Sequence, residues 1–162
     1  MMKIVFLSIG TNLGNRGKNL EQAVSGIGQS IGRVLISSSV FQTEPWGFQS
    51  DKDFLNMAVK IETELDPFVL LGKILAIESL MGRVRGPEHF SSRLIDIDIL
   101  LYGDIIIDEE NLKIPHPLLQ ERRFVLVPLC EIAHDVEHPV LKKTIEELLE
   151  ECEDRGVVKI YR

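Results

Sequence analysis

Two hydrophobic periods alternate along this chain. Lys3 to Ile9 is a β-branched apolar run that stops at Gly10 and reads as a strand. The turn residues GTNLGNRG follow, with GTNLGN read as a plain β-to-α turn in preference to a phosphate cradle. Leu20, Val24, Ile27 and Ile31 then recur at helical spacing. Val34 to Gln42 reads as a second strand, ended by the Glu44-Pro45-Trp46-Gly47 loop because proline gives no N–H to a ladder. Phe54 to Leu65 reads as a third. Asp66-Pro67 has the chemistry of a helix start, a capping carboxylate with proline behind it. Leu70, Leu71, Ile74, Leu75, Ile77 and Leu80 form a broad apolar stripe before Gly82.

Residues 83–94 form a long polar loop, and loops of that length in compact domains are more often functional than idle. Ile95 to Tyr102 reads as a strand, Gly103-Asp104 as a hairpin turn, and Ile105 to Ile107 as the hairpin's return strand. FVLVPLCEIA fits a buried strand or a helix beginning near Arg122, and periodicity does not choose between them. Leu141, Ile145, Leu148, Leu149 and Cys152 mark a last helix, with Thr144 and Glu147 spaced as a capping box. Val157 to Tyr161 is expected to close the sheet. The order β-α-β-β-α-β is that of a ferredoxin-like α+β sandwich, a mainly antiparallel sheet covered by helices. The length suits one domain over residues 1–162.

A hydrophobic fraction of 44% and a charged fraction of 27% are ordinary for a globular chain and oppose wholesale disorder. No apolar stretch reaches the roughly 20 residues of a membrane span, and the start turns at once into a Gly/Asn-rich loop. The expectation is a cytoplasmic chain without signal peptide or membrane span. Cys130 and Cys152 lack metal-site spacing and read as free thiols in a reducing compartment. A net charge of −7 opposes nucleic-acid binding. An anionic ligand needs a local basic patch.

The sharpest local signal is Ile95-Asp96-Ile97-Asp98-Ile99. On a strand, Asp96 and Asp98 share one face, roughly 7 Å apart, while the isoleucines face the core. Repulsion between the carboxylates is of order 2 kcal/mol at an effective dielectric near 20, and a divalent cation reverses its sign. Mg²⁺ takes one or two carboxylates and completes its shell with water and phosphate oxygens. The same spacing also fits a solvated strand face. Nearby, Arg83, Arg85 and Arg93 supply planar forks suited to phosphate, and His116, Arg122 and Arg123 form a second basic cluster after the hairpin. Carboxylates for metal and arginines for anion together point to a polyphosphate–metal complex. Neither a G-x-x-x-x-G-K-[ST] loop nor G-x-G-x-x-G after a strand is present. Thr43 and Asn56 flank the loop carrying Trp46 and Phe48, and Phe54 shares a strand face with Asn56, an arrangement suited to a flat heterocycle.

With these residues in view, the chain resembles the 6-hydroxymethyl-7,8-dihydropterin pyrophosphokinase family over nearly its whole length. The likeness lies in FLSIGTNLG, SSVFQTEPWG followed by DFLNMAVKIET, IESLMGRVR, RLIDIDILLYG and IPHPLLQERRFVLVPLCEIA. The resemblance implies transfer of diphosphate from ATP to the hydroxymethyl group of the pterin, in folate biosynthesis, with ATP as co-substrate and two Mg²⁺ ions held by Asp96 and Asp98. It implies that Asn56 and Thr43 read the pterin edge, that Phe54 and Phe124 sandwich its ring, and that Trp46 sits on the neighbouring loop. It further implies that Arg83 and Arg93 clamp phosphates as catalytic residues, that Arg85, His116 and Arg122 contact the nucleotide, and that Glu78 supports this site from the end of its helix. The family fold is ferredoxin-like, and FVLVPLCEIA is helical in it. One run departs from the family pattern: where the family carries Arg/Lys-Trp-Gly-Pro-Arg, this chain reads His89-Phe90-Ser91-Ser92-Arg93. Only the last arginine remains, and His89 is charged only below about pH 6.5. Slower turnover or weaker loop closure is expected, with a changed pH dependence and the same reaction.

Overall fold

A computed structural model describes residues 1–44, 53–82 and 94–162. The strands are β1 (Lys3–Thr11), β2 (Arg33–Ser37), β3 (Phe41–Thr43), β4 (Phe54–Thr63), β5 (Asp96–Tyr102), β6 (Ile107–Asp108), β7 (Lys113–Ile114) and β8 (Val158–Ile160). The α-helices are α1 (Arg16–Ser30), α2 (Pro67–Leu80), α3 (Arg123–Ala133) and α4 (Ile145–Glu151). Strands β5, β1, β4, β3 and β8 lie side by side in that order, and β2 pairs with the other half of β4. Every pairing in the sheet is antiparallel. The path β5-β1-β4-β2 carries the ferredoxin-like order, and β3 and β8 extend it.

Side-chain alternation divides the core between the two faces of the sheet. Val5, Leu7, Ile9, Leu55, Val59, Ile61, Ile97 and Ile99 pack against Leu20, Ala23 and Ile27 of α1 and Leu70, Ile74 and Ile77 of α2. Phe6, Ala58, Leu100 and Leu101 pack on the opposite face against Val125, Leu126 and Leu129 of α3 and Ile145 and Leu148 of α4. A register shift between Phe6 and Leu7 leaves Leu100 as an extra residue in β5, so consecutive leucines both reach the α3 side.

The helix ends follow the predicted chemistry. Asp66 accepts hydrogen bonds from the Phe68 and Val69 N–H groups, with Pro67 opening α2. Thr144 and Glu147 close a reciprocal capping box on α4. The ambiguous FVLVPLCEIA segment is helical, because Val125, Leu126, Leu129 and Ala133 line up on one buried stripe over the sheet. Val158–Ile160 closes the sheet beside β3 as expected.

Two expectations are corrected. The single strand expected over Val34 to Gln42 is two strands, because the buried Ser38 interrupts the ladder. Its hydroxyl accepts the Ala58 N–H at 2.8 Å and donates to the Ser39 carbonyl, and the Ser39 N–H turns away to Glu131 of α3. The return strand expected at Ile105 to Ile107 does not pair with β5. The turn itself forms, closed by Ile105 N–H to the Tyr102 carbonyl at 3.0 Å, but β6 pairs instead with β7 in a separate two-stranded sheet. The outer edge of β5 is occupied by other donors and acceptors: Glu78 accepts the Ile97 N–H, and the His116 N–H donates to the Leu100 carbonyl.

Among the described residues no helix is long and apolar enough to cross a membrane. Gly32, between α1 and β2, has no room for a side chain: a β-carbon there would stand 2.2 Å from the Glu62 carbonyl oxygen. Gly32→Ala must therefore push β2 off β4. The expected cost is about 2–4 kcal/mol, measured as a lowered urea midpoint with an unchanged m-value.

Candidate active site

The isoleucines of the IDIDI run are buried against α1 and α2, so Asp96 and Asp98 emerge half-buried on the α3 side of β5. Burying Ile95, Ile97 and Ile99 is worth roughly 5–8 kcal/mol. The repulsion between the two carboxylates is about 2 kcal/mol, so packing wins and the strand holds both aspartates on one face without a cation. Glu78, itself buried at 3% exposure near the end of α2, accepts the Ile97 N–H at 2.9 Å. It thereby grips β5 at the residue between the aspartates.

Directly paired residues share a face, and the register lines up a row across three strands: Asp96 on β5, Gly10 on β1 and Asn56 on β4. With strands about 4.8 Å apart, Asp96 and Asn56 stand about 10 Å from one another on one surface. Gly10, read from the sequence as the end of the first strand, lies inside β1 and makes this surface possible. A β-carbon on it would fall 2.7 Å from Asn56 Oδ1 and 3.8 Å from the Phe54 ring. The asparagine amide leans into the space that the missing side chain leaves. Glycine inside a strand signals such a close approach, and that was the available clue.

Asn56 and Thr43 are both buried at 3% exposure, and Asn56 Nδ2 donates to Thr43 Oγ1 at 2.6 Å. Phe54 pairs with Thr43 and is half-buried on the same face. Phe124 lies in the first turn of α3, against the core cluster on that side, with the Arg122 guanidinium 5.6 Å from its ring centre. Thr43, Phe54, Asn56, Phe124, Asp96 and Asp98 thus belong to one side of the sheet. Trp46, Arg83, Arg85 and Arg93, with the departing run at 89–92, lie outside the described residues. Arg123 is tied by its backbone N–H to Asp154 at 3.0 Å.

His116 corrects one expectation from sequence, that it adds positive charge to a basic cluster. Its pKa is lowered to about 4, first by burial and then by the Arg122 charge, with Asp96 pulling the other way. Its Nδ1 accepts the Leu118 N–H at 3.1 Å, so the ring is neutral near pH 7 and carries its proton on Nε2. It is a hydrogen-bond donor and not a cation.

Among the described residues no group of three or more His, Cys, Asp or Glu side chains is placed to hold a metal ion. Two half-exposed carboxylates suit Mg²⁺ shared with a phosphate ligand, and not an ion caged by protein alone.

Because the folded pKa of His116 lies below the unfolded value, its neutral form contributes stability that is present above about pH 6.5 and lost as the pH falls toward 4. With chelator present, wild type should lose up to about 3 kcal/mol more across that window than His116→Gln. Paired urea titrations at pH 7 and pH 4.5 measure it, and parallel losses in the two proteins would refute it.

Comparison with known proteins adds to this geometry. The family model for 7,8-dihydro-6-hydroxymethylpterin-pyrophosphokinase (HPPK) matches residues 6–134. The 2-amino-4-hydroxy-6-hydroxymethyldihydropteridine pyrophosphokinases of Methylorubrum extorquens and Haemophilus influenzae are each 39% identical over 160 residues, covering 98% of this chain and 99% of theirs. Folic acid synthesis protein fol1 of Schizosaccharomyces pombe is also 39% identical over 160 residues, which is 96% of this chain and 21% of that protein. The chain therefore spans about a fifth of that longer relative. Among solved structures, wild-type HPPK-DHPS of Plasmodium falciparum superposes with a TM-score of 0.78 at 19% identity, covering 93% of this chain and 45% of that one, a likeness of fold. The chain belongs to the 7,8-dihydro-6-hydroxymethylpterin-pyrophosphokinase family.

Proposed function

We propose that this chain, as one domain, transfers diphosphate from ATP to the hydroxymethyl group of 6-hydroxymethyl-7,8-dihydropterin, a step of folate biosynthesis. The observation that carries the reading is the row Asp96, Gly10, Asn56, with a carboxylate pair at one end and an amide with the adjacent Phe54 ring at the other. Membership of the family supports the same conclusion.

The hydroxymethyl oxygen attacks the β-phosphorus of ATP, the bond from that phosphorus to the α-phosphate's bridging oxygen breaks, AMP leaves, and the hydroxyl proton passes to water. Asp96 and Asp98 would hold Mg²⁺, two ions in all. When bound, the metal neutralises charge on the phosphate oxygens. Asn56, fixed by Thr43, offers a donor and an acceptor to the pterin edge, Phe54 and Phe124 take its faces, and Trp46 covers it from the loop. Arg83 and Arg93 clamp the phosphates, and Arg85, Arg122 and the Nε2–H of His116 hold the nucleotide. Glu78 acts on this site through its grip on Ile97. No general base is needed, because holding oxygen and phosphorus at attack distance is worth roughly 7–11 kcal/mol of a barrier. The free thiols Cys130 and Cys152 suit a cytoplasmic setting.

Nucleotide product analysis tests the reaction. AMP should form from ATP and Mg²⁺ only when the pterin is added, and Asp96→Asn/Asp98→Asn should abolish it. Release of pyrophosphate instead of AMP, or AMP formation that survives loss of both aspartates, would sink the proposal. Gly10→Ala forces the Asn56 amide off Thr43, so pterin affinity should drop about tenfold or more, the cost of one misplaced buried hydrogen bond. Binding of a fluorescent ATP analogue should be unaffected. Pterin binding equal to wild type would show that Asn56 does not read this ligand.

A further inference from the structure

The approach to β5 is held by a polar knot that the reaction as described does not use. Thr11, fully buried at the end of β1, donates its hydroxyl to the Leu94 carbonyl, two residues before Asp96. Asn19, buried on the first turn of α1, directs Nδ2 to the same carbonyl at 3.3 Å, to the Leu13 carbonyl at 2.8 Å and to Thr11 Oγ1 at 3.2 Å. The Leu94 side chain lies between two glycines. Its methyls are 3.4 and 3.5 Å from where a β-carbon on Gly14 or Gly82 would stand. Leu94 is therefore fixed from β1, from α1 with its preceding loop, and from the end of α2.

We propose that Thr11 and Asn19 are positioning residues for the metal carboxylates, acting through Leu94. The inference rests on the reading of Asp96 and Asp98 as the metal-holding pair. Gly10 with Asp96 is the last pair in the β1–β5 ladder, so among the described residues no ladder bond restrains the strand beyond Asp96, and strand ends fray first. The pair that must be preorganised is also the pair that repels itself in the absence of a cation. An anchor two residues outside the ladder prevents the end from relaxing that repulsion by splaying. On the other side, Glu78 holds Ile97, so Asp96 is bracketed by a fixed point on each side. Outer-shell groups of this kind set metal affinity by orienting the ligands.

The test uses the full chain with Mn²⁺ as the probe. Binding is followed by the electron paramagnetic resonance signal of free Mn²⁺, with the α,β-methylene analogue of ATP present. Thr11→Val keeps the volume and removes the donor, and should weaken Mn²⁺ binding about tenfold. It should also raise the Mg²⁺ concentration needed for half-maximal activity while leaving pterin affinity as in wild type. Thr11→Ser, which keeps the hydroxyl, should restore Mn²⁺ affinity. If Thr11→Val does not fold, Asn19→Ser, which leaves the Thr11 hydroxyl on Leu94, carries the same comparison. Wild-type Mn²⁺ affinity in a folded variant that is merely less stable would overturn the inference. Asp96→Asn/Asp98→Asn separates the two levels of the argument. If that variant loses Mn²⁺ and Thr11→Val does not, the positioning role alone fails; if it binds Mn²⁺ normally, the metal reading beneath it fails.

Discussion

The two-sided pairing of β1 is the constraint on which the rest of this structure depends. Its register with β4 on one side and β5 on the other brings Asp96, Gly10 and Asn56 into one row. A shift of β5 by one residue would turn both aspartates into the apolar layer under α1 and α2. Burying unpaired carboxylates costs several kcal/mol each, whereas the correct register buries three isoleucines. The site and the core are thus specified by the same alternation: each isoleucine that faces inward obliges an aspartate to face outward.

Buried polar groups concentrate around that row. Thr11, Asn12, Asn19, Thr43, Asn56 and Glu78 are buried polar side chains: four lie on or beside the ends of β1, β3 and β4, Asn19 reaches Thr11 from α1, and Glu78 reaches β5 from α2. Buried polar atoms cost free energy unless they are hydrogen-bonded, and here the bonds join different strands and helices. Asn56 is held by Thr43, the β5 edge by Glu78, and Leu94 by Thr11 and Asn19. Departures from a purely apolar core are expected at functional sites.

The electrostatic character of the site differs from a count of its charges. His116 contributes a donor where the sequence suggested a cation, because burial beside Arg122 disfavours a second positive charge. Among the described residues, the Arg122 guanidinium lies over the Phe124 ring and the carboxylates of Asp96 and Asp98 stand half-buried on the same side of the sheet. A divalent cation shared with phosphate suits such a pair better than an ion enclosed by protein.

Local chemistry made several features legible in the sequence. The alternation of IDIDI, the Asp66-Pro67 helix start and the Thr144/Glu147 box depend on neighbours within a turn or a strand pair, and the structure has all three. The β-α-β-β-α-β order of elements was readable up to Tyr102 because helical and strand periods alternate there. What escaped involves partners far apart in the chain. The break at Ser38 depends on Ala58 and Glu131, and the missing hairpin partner of β5 on Glu78 and His116. The need for glycine at position 10 comes from an amide 46 residues away on β4, and the neutral state of His116 from burial and Arg122. Which residues could face a ligand was thus determined by the sequence through short-range periodicity. Only the tertiary structure decided which of them meet, and in what protonation state, because those depend on space, dielectric and distance created when remote segments pack together.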